Sequence, residues 1–285
     1  MERIIKIVKD SYTMQQAANR LLQEGKTIVF VPTMGYLHEG HLALMREGQE
    51  HGDTLIVSIF VNPTQFSPTE DFLDYPRDLN RDANLAEGVG VDMIFAPEAE
   101  TMFNKGFQTY VDLERLPLHL CGPSRPGHFR GVATVVTKLF HIVKPHVAVF
   151  GEKDYQQLAV VRRLVQDLSF DVRIIGVPTE RERDGLAMSS RNAYLSADER
   201  SSASSLFQSL QLARERLGQG ITDAESLVEE VSGLILSYPC TKIDYVTLCH
   251  PETLEDVKRV EEPSLLALAV WVGKTRLIDN AVLTP

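Results

Sequence analysis

TIVFVPTMGYLHEGHLALMREGQEH, residues Thr27–His51, holds the unit from which the fold is read. Thr27–Val31 is an unbroken apolar run, Pro32–His41 is a turn with two glycines, and Gly40–His51 has helical spacing. A strand that is apolar throughout rather than alternating belongs to a parallel sheet covered on both faces. The pattern recurs to either side. Thr54–Val61, Val91–Ala96, Val147–Phe150 and Val172–Val177 read as further strands, and Met14–Glu24, Arg77–Gly88, Gly131–Val143 and Tyr155–Leu168 as helices. Alternation of this kind implies right-handed crossovers and a doubly wound, Rossmann-like α/β sheet.

Beyond about Asn192 the texture changes. Ser196–Glu199 and Thr222–Glu225 have the spacing of capping boxes that open helices. Strand-like Lys242–Leu248, Ser264–Val272 and Arg276–Leu283 follow, the last two joined at Gly273-Lys274, which suggests antiparallel pairing. We expect a Rossmann-like domain over 1–186 and a smaller α+β domain over 187–285. Trp271, in an apolar strand, is expected in the core.

Composition narrows the function. The 285 residues carry a formal charge of −10, which argues against a general nucleic-acid binder. An anionic ligand then requires positive charge concentrated at its site. Three scattered cysteines, Cys121, Cys240 and Cys249, form no disulfide framework and match no catalytic pattern. The opening Met1-Glu2-Arg3 leads into no signal-like apolar core, and no run of 18 apolar residues occurs. A cytoplasmic protein without membrane or nucleic-acid partners is expected.

Motif absences narrow it again. There is no GxGxxG, GxSxG or HExxH, and Gly273-Lys274-Thr275 lacks the first P-loop glycine, because Leu268 stands there. Pro63 removes Asn62 as a glycosylation acceptor.

The positive signals lie where an open sheet binds its ligands, beyond the carboxyl ends of strands. In Pro32–His41, Gly35 permits a tight turn and Gly40 removes a side chain where a phosphate would approach. His38 and His41, three apart, share one face of a first helical turn and suit an anion there. A polar surface loop and a zinc site are the alternatives. Gly151-Glu152-Lys153-Asp154 repeats the arrangement, with Lys153 for phosphate and Asp154 for ribose or hydrated Mg2+, or simply as a helix cap. Met188-Ser189-Ser190-Arg191-Asn192 adds two hydroxyls and a guanidinium in a loop.

Together the three segments resemble the HIGH and KMSKS signatures of the nucleotidylyltransferase superfamily, with Ser190-Arg191 near the Ser-Lys of the second. PTMGYLHEGH, SIFVNPTQF (Ser58–Phe66), YPRD (Tyr75–Asp78), RPGHFRGV (Arg125–Val132), VFGEKDYQQL (Val149–Leu158) and DGLAMSSRN (Asp184–Asn192) resemble, in order, the blocks of the pantothenate synthetase (pantoate–β-alanine ligase) family. The resemblance runs from the first helix to the C-terminus.

It implies a two-step ligase in which pantoate and ATP form pantoyl adenylate, which β-alanine converts to pantothenate. It implies an ATP-binding segment of Met34, Gly35, Tyr36, Leu37, His38, Glu39, Gly40 and His41, with His41 as proton donor. Gly151, Glu152, Lys153 and Asp154 would hold ribose and phosphates, and Met188, Ser189, Ser190 and Arg191 would close on the triphosphate. His38, Lys153 and Arg191 would share in catalysis with His41. Glu180, where the family commonly has a small apolar residue, would contact adenine through its main chain. Gln65 and Gln157 would bind pantoate, with Asn62 and Arg125 contributing to the pantoate and β-alanine sites. Mg2+ would accompany ATP without direct protein ligands, Asp154 reaching it through water. A homodimer formed through the first domain is also implied.

Two other functions share some of these features. A nucleotidylyltransferase would need Arg or Lys for a phosphorylated acceptor where Asn62 and Gln65 stand. A non-catalytic nucleotide-binding module would not need paired histidines facing a cationic loop.

Overall fold

A computed structural model describes residues 5–67 and 72–285. The opening Met1–Arg3 lies outside the described residues. The elements run β1 (Lys6–Val8), α1 (Ser11–Gln23), β2 (Ile28–Thr33), α2 (Glu39–Gln49), β3 (Thr54–Ile59), α3 (Leu79–Gly88) and β4 (Met93–Phe95). They continue α4 (Ala99–Met102), α5 (His128–Val143), β5 (Val147–Gly151), α6 (Tyr155–Asp167), β6 (Arg173–Val177), α7 (Ala197–Gly218), α8 (Ala224–Leu236), β7 (Thr241–Cys249), β8 (Ser264–Val272) and β9 (Thr275–Leu283).

Two compact units emerge. The first comprises Met1–Leu113, Arg125–Glu152 and Val160–Pro178. Its six-stranded sheet has the order β1-β4-β3-β2-β5-β6, and every pairing is parallel. Successive residues of β2 explain why its apolar run is unbroken. Val29 and Val31 pack in one cluster with Leu42 and Met45 of α2 and Ala83 and Ala86 of α3. Phe30 points the other way, its ring 6.5 Å from that of Phe140 on α5. Both faces are therefore covered. The order reverses at β2, which lies between β3 and β5, and such a reversal opens a crevice at the carboxyl ends of the strands.

The second unit comprises Glu114–Ser124, Lys153–Ala159 and Thr179–Pro285. Its antiparallel sheet has the order β7-β8-β9, with Gly273-Lys274 as the two-residue link between the paired Val272 and Thr275. Leu206 and Leu210 of α7 and Leu227 and Val231 of α8 close over Leu266, Leu268 and Val270 of β8. The Ser196–Glu199 box forms: the Glu199 N–H donates to Ser196 Oγ, and the Ser196 N–H to the Glu199 carboxylate.

Two expectations need correction, and one strand is unforeseen. α8 is capped by Asp223 rather than Thr222: Asp223 accepts from the Ser226 N–H, while Thr222 Oγ1 accepts from Arg259. Trp271 is 37% exposed, because the buried run of β8 breaks at that position. β1 has no counterpart in the sequence reading; three residues are too few for a period to register.

Candidate active site

The turn after β2 is held from three sides. Thr33 Oγ1 donates to the Ser58 carbonyl at 2.7 Å and accepts from the Gly35 N–H. Gly35 has φ +83°, and a Cβ there would lie 2.9 Å from Ile59 Cγ2 and 3.0 Å from Asp82 Oδ2, so only glycine fits. Tyr36 follows with φ +50°, a left-handed conformation that costs a non-glycine residue about 1–2 kcal/mol. The Tyr36 and Leu37 N–H groups both donate to the Asp82 carboxylate, each at 2.7 Å. Burial pushes that carboxyl above its ordinary value, while the two N–H donors and neighbouring Arg81 pull it back.

His38 then takes the N-cap position of α2 in an extended conformation, and Glu39, Gly40 and His41 form the first turn. The His38 N–H donates to His41 Nδ1 at 3.3 Å, and the imidazoles lie 4.1 Å apart at 41°. An Nδ1 that accepts is unprotonated, so neutral His41 carries its proton on Nε2 and can donate from there. Glu39 pairs with Arg46, which offsets the one acidic charge in this turn. The positive end of the helix dipole and two imidazoles thus meet beyond the central strand.

The end of β3 supplies a neutral patch. Asn62 caps the 3-10 helix Pro63–Gln65, and its Nδ2 donates to Gln65 Oε1 at 3.0 Å and to the Gly131 carbonyl at 3.2 Å. Gln65 Nε2 lies 3.1 Å from Met34 Sδ, a soft acceptor that a ligand oxygen can displace at low cost. Gly131 permits this arrangement: a Cβ there would sit 2.3 Å from the Thr64 carbonyl oxygen. His128 Nδ1–H donates to the Gln65 carbonyl at 2.8 Å, which leaves Nε2 to accept from Arg125 at 3.1 Å. Met34, Asn62, Gln65 and Arg125 are thereby joined in one network through His128. The sequence reading includes His128 in a motif but gives it no role.

Gly151 ends β5, paired with Val177 of β6. Glu152–Asp154 form a 3-10 turn that leads into α6. Within the second unit, the Lys153 carbonyl accepts from Asn280 Nδ2 at 2.9 Å, Asp154 is exposed and Gln157 is half-buried. The preceding Gln156 is buried. Its amide donates to the Leu116 and His119 carbonyls at 2.9 and 2.7 Å and accepts from the Cys121 N–H at 3.1 Å.

The Met188–Asn192 loop has its own root. The Met188 N–H donates to the Glu180 carbonyl at 2.9 Å, and the Glu180 side chain is exposed. Ser189 caps the 3-10 helix Ser190–Tyr194 through the Arg191 N–H. Asn192 Nδ2 donates to Glu182 at 2.7 Å, and Arg200 donates to Glu182 and Asp184 at 2.7 and 2.8 Å. Arg181 grips the buried Asp279 with two bonds of 2.7 and 3.0 Å. These contacts brace the chain on both sides of Ser189–Arg191.

Among the described residues, no three His, Cys, Asp or Glu side chains gather to hold a metal ion. Asp154 offers an exposed carboxylate, an oxygen donor of the type that suits a hard cation.

A family model described as Pantoate-beta-alanine ligase matches residues 6–282. The pantothenate synthetase of Desulfatibacillum aliphaticivorans is 57% identical over 281 residues, 99% of this chain and 100% of that protein. That of Geobacter sulfurreducens is also 57% identical over 281 residues, 99% of this chain and 98% of that protein. Among solved structures, pantothenate synthetase from Thermus thermophilus superposes with a TM-score of 0.94 at 44% identity, over 99% of this chain and 100% of that one. The pantoate-beta-alanine ligase of Francisella tularensis, complexed with beta-gamma ATP and beta-alanine, gives 0.81 at 33% identity over 98% and 97%.

Proposed function

Since this chain belongs to the pantoate–β-alanine ligase family, we propose that His38 and His41 hold the phosphates of ATP while Asn62 and Gln65 hold pantoate. The protein is an ATP-dependent ligase that joins pantoate to β-alanine, forming pantothenate with release of AMP and pyrophosphate. In the first step a pantoate carboxylate oxygen attacks the α-phosphorus, and the bond to the bridging oxygen of pyrophosphate breaks. In the second the β-alanine amine attacks the acyl carbon of pantoyl adenylate, loses a proton, and AMP leaves. Such displacements depend on positioning and on charge stabilisation at phosphate oxygens.

One observation carries the assignment of residues: the His38 N–H donates to His41 Nδ1, which puts the proton of neutral His41 on Nε2. In this reading His41 donates from Nε2 as charge grows on the departing pyrophosphate, with His38 and the amides of Glu39, Gly40 and His41 beside it. Met34, Gly35, Tyr36 and Leu37 shape the same segment. Gly151, Glu152, Lys153 and Asp154 take the ribose and phosphates, and the main chain at Glu180 takes adenine. Met188, Ser189, Ser190 and Arg191 close on the triphosphate. Gln157 joins Gln65 at the pantoate hydroxyls, and Arg125, held by His128, meets a carboxylate. Neutral amide forks suit hydroxyls and one carboxylate better than a phosphorylated acceptor. Mg2+ brought in with ATP would neutralise phosphate charge, Asp154 reaching it through water. We assign the enzyme to the cytoplasm as a homodimer; sedimentation at twice the chain mass is the expected result.

Pantoate-dependent exchange of labelled pyrophosphate into ATP, without β-alanine, tests adenylate formation. His41→Ala should slow that exchange about 10²–10³-fold, as losing a charge-stabilising donor does elsewhere. Undiminished exchange by the folded variant would refute the role of His41.

A further inference from the structure

The chain that carries His38 and His41 is gripped by a neighbouring helix. We propose that Asp82, assisted by Arg81, is the positioning residue for the adenylating step: it holds the turn Gly35–Leu37 so that α2 starts where ATP phosphates must sit. This rests on the phosphate reading of His38 and His41. Asp82 Oδ2 accepts from the Tyr36 N–H and Oδ1 from the Leu37 N–H, each at 2.7 Å. Arg81 Nη2 donates to the Leu37 carbonyl at 2.9 Å, and its guanidinium lies 4.9 Å from the centre of the Tyr36 ring. Both N–H groups of one peptide segment and the carbonyl that follows are thus taken by two consecutive side chains of α3.

Successive N–H groups in a turn with positive φ form a concavity that attracts anions. Here the protein fills it with its own carboxylate, so the turn is built before any ligand arrives. Asp82 is 1% exposed and both its oxygens are engaged, which removes it from contact with substrate. Its charge is matched by two amides and by Arg81, 3.3 Å away. Leu37, the next anchor, is completely buried, and the following residue is His38. A positive φ at Tyr36 persists only where its surroundings over-determine it, and Asp82 and Arg81 both hold this segment.

The consequence is geometric. Asn at position 82 retains one acceptor but turns an amide donor toward a backbone donor, so one N–H is released. The start of α2 then shifts, and misplacements of about 1 Å cost on the order of 10²-fold in rate. Asp82→Asn should reduce pyrophosphate exchange ten- to a hundredfold, with pantoate affinity, set at Asn62 and Gln65, within about twofold of the parent. A role in folding alone would instead lower both in proportion to the folded fraction. Arg81→Ala, at a half-exposed position, leaves the carboxylate in place and should give a smaller loss in the same direction.

Amide hydrogen exchange tests the grip itself. Tyr36 and Leu37 should be protected in the parent, and at least one should lose protection in Asp82→Asn. Retained protection of both, or a pyrophosphate exchange rate within twofold of the parent, would overturn the proposal. If His41→Ala left pyrophosphate exchange untouched, the phosphate reading would fail by itself, while the two amides would still report on Asp82.

Discussion

Gln65 binds its surroundings unequally, and that inequality sets its behaviour. Its Oε1 accepts from Asn62, whereas Nε2 meets the thioether of Met34. The amide N–H2 can therefore turn to a pantoate oxygen with little loss, while Asn62 keeps the carbonyl end fixed. Gln65→Ala should weaken pantoate binding by about 1–3 kcal/mol, the cost of an unpaired buried partner, and leave ATP binding nearly unchanged. Calorimetry with each substrate separates the two; equal losses would place Gln65 elsewhere. The spacing of His38-x-x-His41 by itself suggests an anion site, whereas the roles expected of Asn62 and Gln65 come from the family resemblance of the block that holds them. Asp82, His128 and Gln156 are not legible, because each acts on backbone far away in sequence. Asp82 leaves only a faint trace, a carboxylate on the face of α3 that also buries Ala83 and Ala86.

Elements are legible in proportion to how strongly burial patterns them. The parallel strands, buried on both faces, stand out as apolar runs; β1 is too short to do so. α5 begins at His128, three residues before the expected Gly131, because its polar opening His128 and Arg130 masks the helical period. The Met188–Asn192 loop has no period at all, and its order comes from charge. Arg200 and Asn192 hold Glu182 below the ordinary carboxylate range. At Asp184 burial pushes upward, but Arg200 and the Leu186 N–H outweigh it and the carboxyl is lowered too. A lowered folded-state value means that the contribution to stability is complete above the ordinary value of 4.5 for Glu182 and fades as pH falls through the folded one. The melting-temperature gap between the parent and Arg200→Met should therefore be full at pH 7 and shrink once pH drops below 4.5. A gap that does not change with pH would mean that Arg200 acts by packing alone. Arg191, carried by this loop, should affect single-turnover adenylation more than ATP affinity when replaced by Ala.

At the scale of the molecule, a net charge of −10 requires positive charge to be concentrated wherever an anion such as ATP is bound. The first unit offers a helix N-terminus with paired imidazoles, and the second unit carries Lys153 and Arg191. Less legible is which segments travel together. Residues 114–124 and 153–159 share a unit, and the side chain of Gln156 joins them, a link that no compositional shift announces. The cysteines offer a probe of how far the second unit behaves as one body. Cys240 is exposed, Cys121 is half-buried, and Cys249 is completely buried at the end of β7, where Sγ donates to the Leu265 carbonyl at 3.7 Å. Burial pushes the Cys249 thiol up to about 12, so at pH 8 it is both hidden and protonated, and the thiolate is the reactive form. A thiol reagent at pH 8 should therefore titrate two cysteines in the native protein, Cys240 before Cys121. Cys249 should react only in denaturant, with a midpoint matching the loss of far-ultraviolet dichroism, because freeing it requires β7 to leave β8 and the core to open. Reaction of all three thiols in buffer, faster than global unfolding allows, would show instead that β7 frays locally while the rest of the sheet stands.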